Sequence, residues 1–331
     1  MSTTAKLFLG IILCWAPWQL AAQQLSTFNG WQGQEFIYNP AMTALDRRAQ
    51  VNAHYEQEWS GFNDAPSTVQ LSGQLAVNKQ AMSLGAFLDV EELLPLRQNT
   101  IGFAYAYHLN GYGRGSSGQR LFVKRTRSML SIGFSASMQQ LFLDPGQLTV
   151  NDVDDQALPL GEATLTSPNF NAGVFFSGAP GGPAGMSYGF LGVAFRQILS
   201  DRLPLRDGVE ESGLLDRSMH SNFTLGYHYE TESLILRPLL WIDMAANAPS
   251  ETQLSLQSEI RRKLIAGISY NLSQTLGIRL GYILPQDELG QRRLRIGAQG
   301  VFNLGSATAV RGLGYSAFIA YDFGRRADRL N

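Results

Sequence analysis

Several groups of residues are spelled like chemical sites. Gly113-x-Gly115-x-x-Gly118 has the spacing of a dinucleotide-binding loop. That chemistry needs a helix opening straight after the glycines, so that its N-terminus meets the pyrophosphate. A strand-like run precedes this segment but no helical period follows it, so the glycines read as a flexible loop. Asp152, Asp154 and Asp155 offer hard oxygen ligands. A calcium loop needs more ligands and a spaced glutamate, so a solvated acidic loop is the reading and calcium the alternative.

His54, His108, His220 and His228 lack metal-ligand spacing, and the sequence predicts no metal site and no cofactor. His220 and His228 fall on one face of one strand-like run and read as polar interior groups. At the level of sequence nothing pairs a serine with a histidine and an acid. The chain is therefore read as a non-enzyme with no catalytic residue. Arg261-Arg262-Lys263, Arg292-Arg293 and Arg325-Arg326 read as turn-solubilising or interfacial cations. The sequons at Asn222 and Asn271 are spelled correctly, but the first lies inside a predicted strand.

These residues must be positioned by elements that the composition already restricts. The chain has 331 residues, 26 Lys+Arg against 27 Asp+Glu, and only 16% charged residues. Soluble domains carry about 25%. Glycine is high, at 34 residues. With no basic excess to neutralise phosphates, a nucleic-acid partner is excluded. Residues 1–22 read as a cleaved signal peptide: Lys6 is the charged start, Leu7 to Leu20 the apolar run, and Ala21-Ala22 the small-residue exit. Cleavage there removes Cys14, the only cysteine, so neither disulfides nor thiol chemistry are expected. No later stretch reaches the apolar length of a membrane helix.

The dominant pattern has period two. Ile101, Phe103, Tyr105, Tyr107 and Leu109 alternate with Gly102, Ala104, Ala106 and His108. Phe223, Leu225, Tyr227 and Tyr229 alternate with Asn222, Thr224, Gly226 and His228, and Leu313 to Phe323 closes the chain in the same way. Such alternation puts every large apolar group on one face of a strand. Alternation alone fits a soluble sandwich as well as a barrel. Segments of about 9–11 residues, aromatic ends and scarce charge favour a transmembrane barrel.

Fourteen segments are expected, starting near Ala49, Thr68, Met82, Thr100, Ser128, Pro168, Met186, Ser218, Leu234, Thr252, Leu264, Thr275, Arg293 and Leu313. An even number puts both termini on the periplasmic side and leaves no open edge. The expected organisation is a signal peptide at 1–22, a periplasmic N-terminal lead at 23–48, a barrel at 49–323 and a tail at 324–331. The connection from Glu56 to Pro66 would then face outward, as would the long stretches near 140–167 and 197–217.

One segment is not explained by barrel physics. Tyr38-Asn39-Pro40-Ala41 is followed by Glu58-Trp59-Ser60-Gly61-Phe62-Asn63-Asp64-Ala65-Pro66-Ser67-Thr68. Together they resemble the PorP/SprF family of Bacteroidetes outer-membrane proteins, with an Asn-Pro-Ala start and then Gln-Trp-x-Gly-Phe-x-x-Ala-Pro-x-Thr. Asp89, Tyr105-Ala106-Tyr107, Pro168-Asn169-Phe170-Asn171-Ala172-Gly173-Val174, Ala266-Gly267-Ile268-Ser269-Tyr270 and Tyr321-Asp322 match further family segments in order. Glu58 departs from the family's Gln, Asn271 stands where many members have Arg, and Ala320 departs from the closing context.

The resemblance implies an outer-membrane protein of the type IX secretion system, linked to protein export and gliding motility. Its implied partners are secretion components or a large secreted adhesin, besides outer-membrane lipid. Asn39, Pro40, Trp59, Gly61, Phe62 and Pro66 are the candidate residues for holding a partner or plugging the barrel. A general porin or small-solute transporter is the alternative function. The barrel reading predicts that the protein fractionates with membranes and migrates faster on a gel before heating than after it. A soluble sandwich would do neither.

Overall fold

The computed structural model describes residues 34–61, 65–77, 81–110, 128–144, 146, 163–178, 187–199, 202–204, 214–245, 248–287, 292–304 and 313–323. The expected signal peptide, the Gly113–Gly118 loop, the Asp152–Asp155 cluster, Phe62, Arg325-Arg326 and the tail lie outside them.

A single helical turn, α1 (Glu35–Tyr38), and a 3₁₀ turn (Pro40–Met42) precede the strands. The strands then run β1 (Gln50–Gln57), β2 (Ser67–Val77), β3 (Met82–Leu93), β4 (Leu96–Asn110), β5 (Met129–Leu143), β6 (Ala163–Ser177) and β7 (Tyr188–Arg196). A short hairpin, β8 (Arg202–Pro204) and β9 (Leu214–Asp216), follows as a sheet of its own. The array resumes with β10 (His220–Glu230), β11 (Leu234–Ala245), β12 (Glu251–Ile260) and β13 (Leu264–Asn271). It ends with β14 (Thr275–Pro285), β15 (Arg292–Asn303) and β16 (Leu313–Phe323).

Fourteen of these strands form one closed antiparallel barrel, each paired with its neighbour in the array and β1 with β16. Gln50 faces Asp322 and Gln57 faces Tyr315 across that closing seam. Closure pairs the backbone groups that lipid would leave unsatisfied. The strand count agrees with the period-two reading, and most starts fall within two residues of it. β4 begins four residues earlier than Thr100, directly after the tight Leu94-Pro95 turn.

β6 begins at Ala163, five residues before Pro168. A proline ordinarily marks a strand start, because it cannot donate to a ladder. Pro168 nonetheless sits inside β6, opposite Met138 of β5. Ile198 N–H donates to the Phe170 carbonyl at 3.0 Å, so residues of that parity point their backbone groups toward the β7 side. β7 pairs with β6 only from Ala172 onward, so no strand faces the proline nitrogen.

The alternation decides what faces lipid. Phe103, Phe134, Leu280, Ile268 and Ile319 point outward and are exposed by about half or more, a display that water would not tolerate. Outward tyrosines lie in two rings. Tyr55, Tyr270 and Tyr315 are near the loop end of the barrel, and Tyr107, Tyr227 and Tyr282 are near the end that carries the termini. Tyrosine suits that depth because its ring is apolar and its hydroxyl is wet. β4, β5 and β6 have 15 residues each. A tilted crossing needs about 9–11, so they carry the wall beyond the hydrocarbon.

The apolar core sits inside the barrel. Phe36 and Ile37 of α1 bury against Phe87 and Ala104, with the Phe36 and Phe87 rings edge-to-face at 6.3 Å. Replacing Leu280, at the centre of β14 and facing lipid, by Arg should cost about 2–4 kcal/mol. Urea titration of folding into vesicles measures it.

Candidate functional site

The candidate residues fall into two places. Asn39 and Pro40 lie within the barrel against β5, β6 and β7, whereas Trp59, Gly61 and Pro66 lie on the β1–β2 connection. The sequence pattern puts residues 23–48 in a periplasmic lead, but residues 34–44 are seated inside the barrel as a plug. An apolar turn carrying Phe36 and Ile37 gains more from the lumen's few apolar walls than from water.

The seat is built of small residues. A Cβ at Gly133 would collide with the Pro40–Ala41 backbone, and one at Gly173 with the Asn39 side chain. A Cβ at Gly85 would come within 2.6 Å of the Phe36 ring. Ala104 and Ala106, from the Tyr-Ala-Tyr strand, are likewise buried on this side. Glycine at 85, 133 and 173 therefore makes room for the plug's own backbone and side chains.

Polar bonds hold the plug in register. The Asn39 side chain accepts from Ala41 N–H at 3.0 Å, capping the 3₁₀ turn that Pro40 opens, and its Nδ2 donates to the Val174 carbonyl at 3.3 Å. Thr43 Oγ1 donates to the Pro40 carbonyl at 2.7 Å. Ser131 Oγ donates to the Ala41 carbonyl at 2.6 Å. His108 links Ser131 and Ser83, each at 2.8 Å. Since Ser131 has spent its proton on Ala41, it accepts from His108 Nδ1–H, and Ser83 then donates to Nε2. Ser131 thus ties His108 to the plug, and Ser83, fully buried, is the ring's second partner.

A second chain of bonds runs to the barrel seam. Ala44 N–H donates to Gln74 Oε1 at 2.6 Å, Gln74 Nε2 to Gln50 Oε1 at 2.9 Å, and Gln50 Nε2 to Asp322 Oδ1 at 2.8 Å. Asp322 is 1% exposed and also meets Arg293 at 2.9 Å, Arg295 at 3.2 Å and Arg48 at 3.9 Å. The closing Tyr-Asp motif therefore supplies the buried carboxylate that ties the seam strands to the plug. Arg293, expected at a turn or the membrane interface, points inward instead, between Asp322 and Glu259.

Toward β11 Tyr38 stands edge-on to Trp241 at 6.3 Å, with the Arg196 guanidinium, from the end of β7, 5.1 Å from its ring. Asp243 holds Arg196 and also meets His220 at 3.1 Å. His228 stacks on Tyr188 and bonds Glu230 at 3.0 Å and Arg237 Nε at 2.9 Å. Both histidines are interior, as the pattern implies. Among the described residues no three His, Cys, Asp or Glu groups could hold a metal ion. Asn222 of the first sequon is buried and bonds Ile242 and Thr224, so it is no glycan acceptor.

Two of the cavities among the described residues lie toward the two ends of the barrel. One, of about 150 Å³ toward the terminus end, lies between Met42 and Asp46 and a charged wall that includes Arg237, Glu259 and Arg293. The other, of about 330 Å³ at the loop end, is lined by Glu56, Glu58, Trp59, Glu251, Gln299 and Asn303 among others. Trp59 is exposed, with φ 48°. Its backbone is clamped on both sides, by Glu58 N–H to the Pro66 carbonyl at 2.9 Å and Ser60 N–H to the Leu313 carbonyl at 3.0 Å. A Cβ added at Gly61 would meet no atom within 4 Å, so space does not demand glycine there.

Gly133→Val should unseat the plug, an overpacking cost of roughly 1–3 kcal/mol. Trypsin would then cut at Arg47 and Arg48 while the barrel still shifts on heating. Gly61→Val should leave both readouts unchanged.

No curated protein matches the chain in sequence. Among solved structures it is similar to the CymD monoaromatic hydrocarbon channel, at 12% identity over 91% of this chain and 94% of that one, with a TM-score of 0.52. That likeness speaks for the fold of an outer-membrane barrel. The Pseudomonas putida toluene transporter TodX aligns at 11% identity over 91% and 95%, TM-score 0.47. A Pseudomonas aeruginosa FadL homologue aligns at 12% identity over 88% and 92%, TM-score 0.46. The family model of the type IX secretion system membrane protein PorP/SprF matches residues 20–321. The chain is an outer-membrane β-barrel and belongs to the PorP/SprF family of type IX secretion system membrane proteins.

Proposed function

We propose that the barrel works by binding rather than by conduction or catalysis. It anchors in lipid through its apolar face and holds secretion components or a large partner adhesin, supporting that adhesin's export or surface attachment and so gliding motility. The observation that carries this reading is the seated plug. Asn39, Pro40 and Ala41 occupy the space that a conducting barrel of this size would leave to water, and glycines in two strands are shaped to them. Family membership supports an association with secretion. The loop-end cavity lining, spread over β1 and β12 to β16, offers a partner a polar, concave surface.

The second reading is a channel for a small solute. The cavities toward the two ends of the barrel favour it, as does a fold shared with a monoaromatic hydrocarbon channel. The two readings separate in a planar bilayer. The binding barrel should be silent, and a steady large conductance would support the channel. In cells, pull-down in mild detergent should recover secretion components or an adhesin. Normal type IX export and normal adhesin delivery after deletion of the gene would overturn the proposal.

A further inference from the structure

We infer that the loop-end cavity is a receptor site for a cationic, extended polypeptide segment, with a Lys or Arg side chain of the partner entering beside Glu58 and Glu251 under the Trp59 ring. This rests on the reading of the barrel as a binding protein and names the chemistry of what it binds.

The cavity volume of about 330 Å³ lies at the lower end of the roughly 300–1,000 Å³ typical of ligand pockets, enough for one or two side chains. Its lining brings three carboxylates, Glu56, Glu58 and Glu251, and no Lys or Arg among the described residues. Arg279 of β14 bonds Gln299, whose Oε1 accepts from its Nε at 3.0 Å and its Nη2 at 2.6 Å, and its charge interacts with Glu56, which leaves Glu58 and Glu251 as the carboxylates for an incoming cation. Glu251 is oriented by a neutral amide, Asn271 Nδ2 at 2.5 Å. Among the described residues no cation pairs with the Glu58 carboxylate. Burial, and then the nearby Glu91 carboxylate, push its pKa above the usual range. A crowded carboxylate of this kind gains from an incoming cation more than a solvated one does.

Trp59 completes the recognition set. It is 38% exposed and lines the cavity, and the backbone bonds on either side of it fix the ring's base without ordering cost on binding. An indole beside carboxylates attracts an ammonium or guanidinium through its face. The neutral amides of Gln253, Asn271, Gln299 and Asn303 suit the main-chain groups of an extended segment. Amides and an indole also suit a neutral sugar, but the carboxylates favour the cation.

The test uses the full-length barrel in detergent and a short fluorescein-labelled lysine–serine peptide, followed by anisotropy. Saturable binding of one peptide per barrel is expected. Glu58→Gln with Glu251→Gln, and separately Trp59→Ala, should each weaken it about tenfold, the scale of one charge-assisted contact. Both variants should still shift on heating, which shows that the barrel is intact. Absence of binding to the unaltered barrel would overturn the inference, as would equal binding by the double variant or by an acidic peptide of the same length. Preferential binding of a neutral maltooligosaccharide that depends on Trp59 would overturn it in favour of a glycan site. If the unaltered barrel still recovers secretion components while the peptide fails to bind, this inference falls and the binding function stands.

Discussion

The structure depends on one constraint: in hydrocarbon no backbone N–H or C=O can be left without a partner. The β1–β16 seam meets it by pairing the first strand with the last over eight residues. Everything else follows from that closure. The outer face must be apolar, and the inner face of a ring of this size must be filled by side chains, by water or by more chain.

Here part of the filling is more chain. The lead folds back as one helical turn and one 3₁₀ turn, and the wall facing it is trimmed to glycine at Gly85, Gly133 and Gly173. The opposite wall keeps long charged and aromatic side chains, such as Arg237 and Trp241, that reach across to it. The barrel is thus lopsided inside: tight where backbone meets backbone, and polar where cavities remain. Asp322 joins the two demands. It sits on the last strand of the seam, gathers arginines of β15, and passes through Gln50 and Gln74 to the plug backbone at Ala44. A buried carboxylate with this many donors is costly to leave half-satisfied, so seam closure and plug seating are coupled.

The candidate motif divides along the same line. Asn39 and Pro40 shape the plug, while Trp59 faces the loop-end cavity, so residues adjacent in the family pattern serve separate surfaces. Their grouping in sequence reflects only the short distance along the chain from the lead to the first loop. Pro66 acts through its carbonyl, which holds the Trp59 turn, rather than through its ring.

Strand number and facing were legible from the sequence alone, because period two is a local property and lipid makes it strict. Residues such as Phe103, Leu280 and Tyr315 declared their side through their immediate neighbours. The family was legible from the Asn-Pro-Ala and Trp-x-Gly-Phe stretches. Only the tertiary structure decided that the lead enters the lumen, why glycine recurs on one wall, and that Arg293 turns inward. Those outcomes rest on contacts such as Asn39 with Val174, 135 positions apart. No local pattern encodes a contact of that range; it exists only once the ring has closed around the chain that fills it.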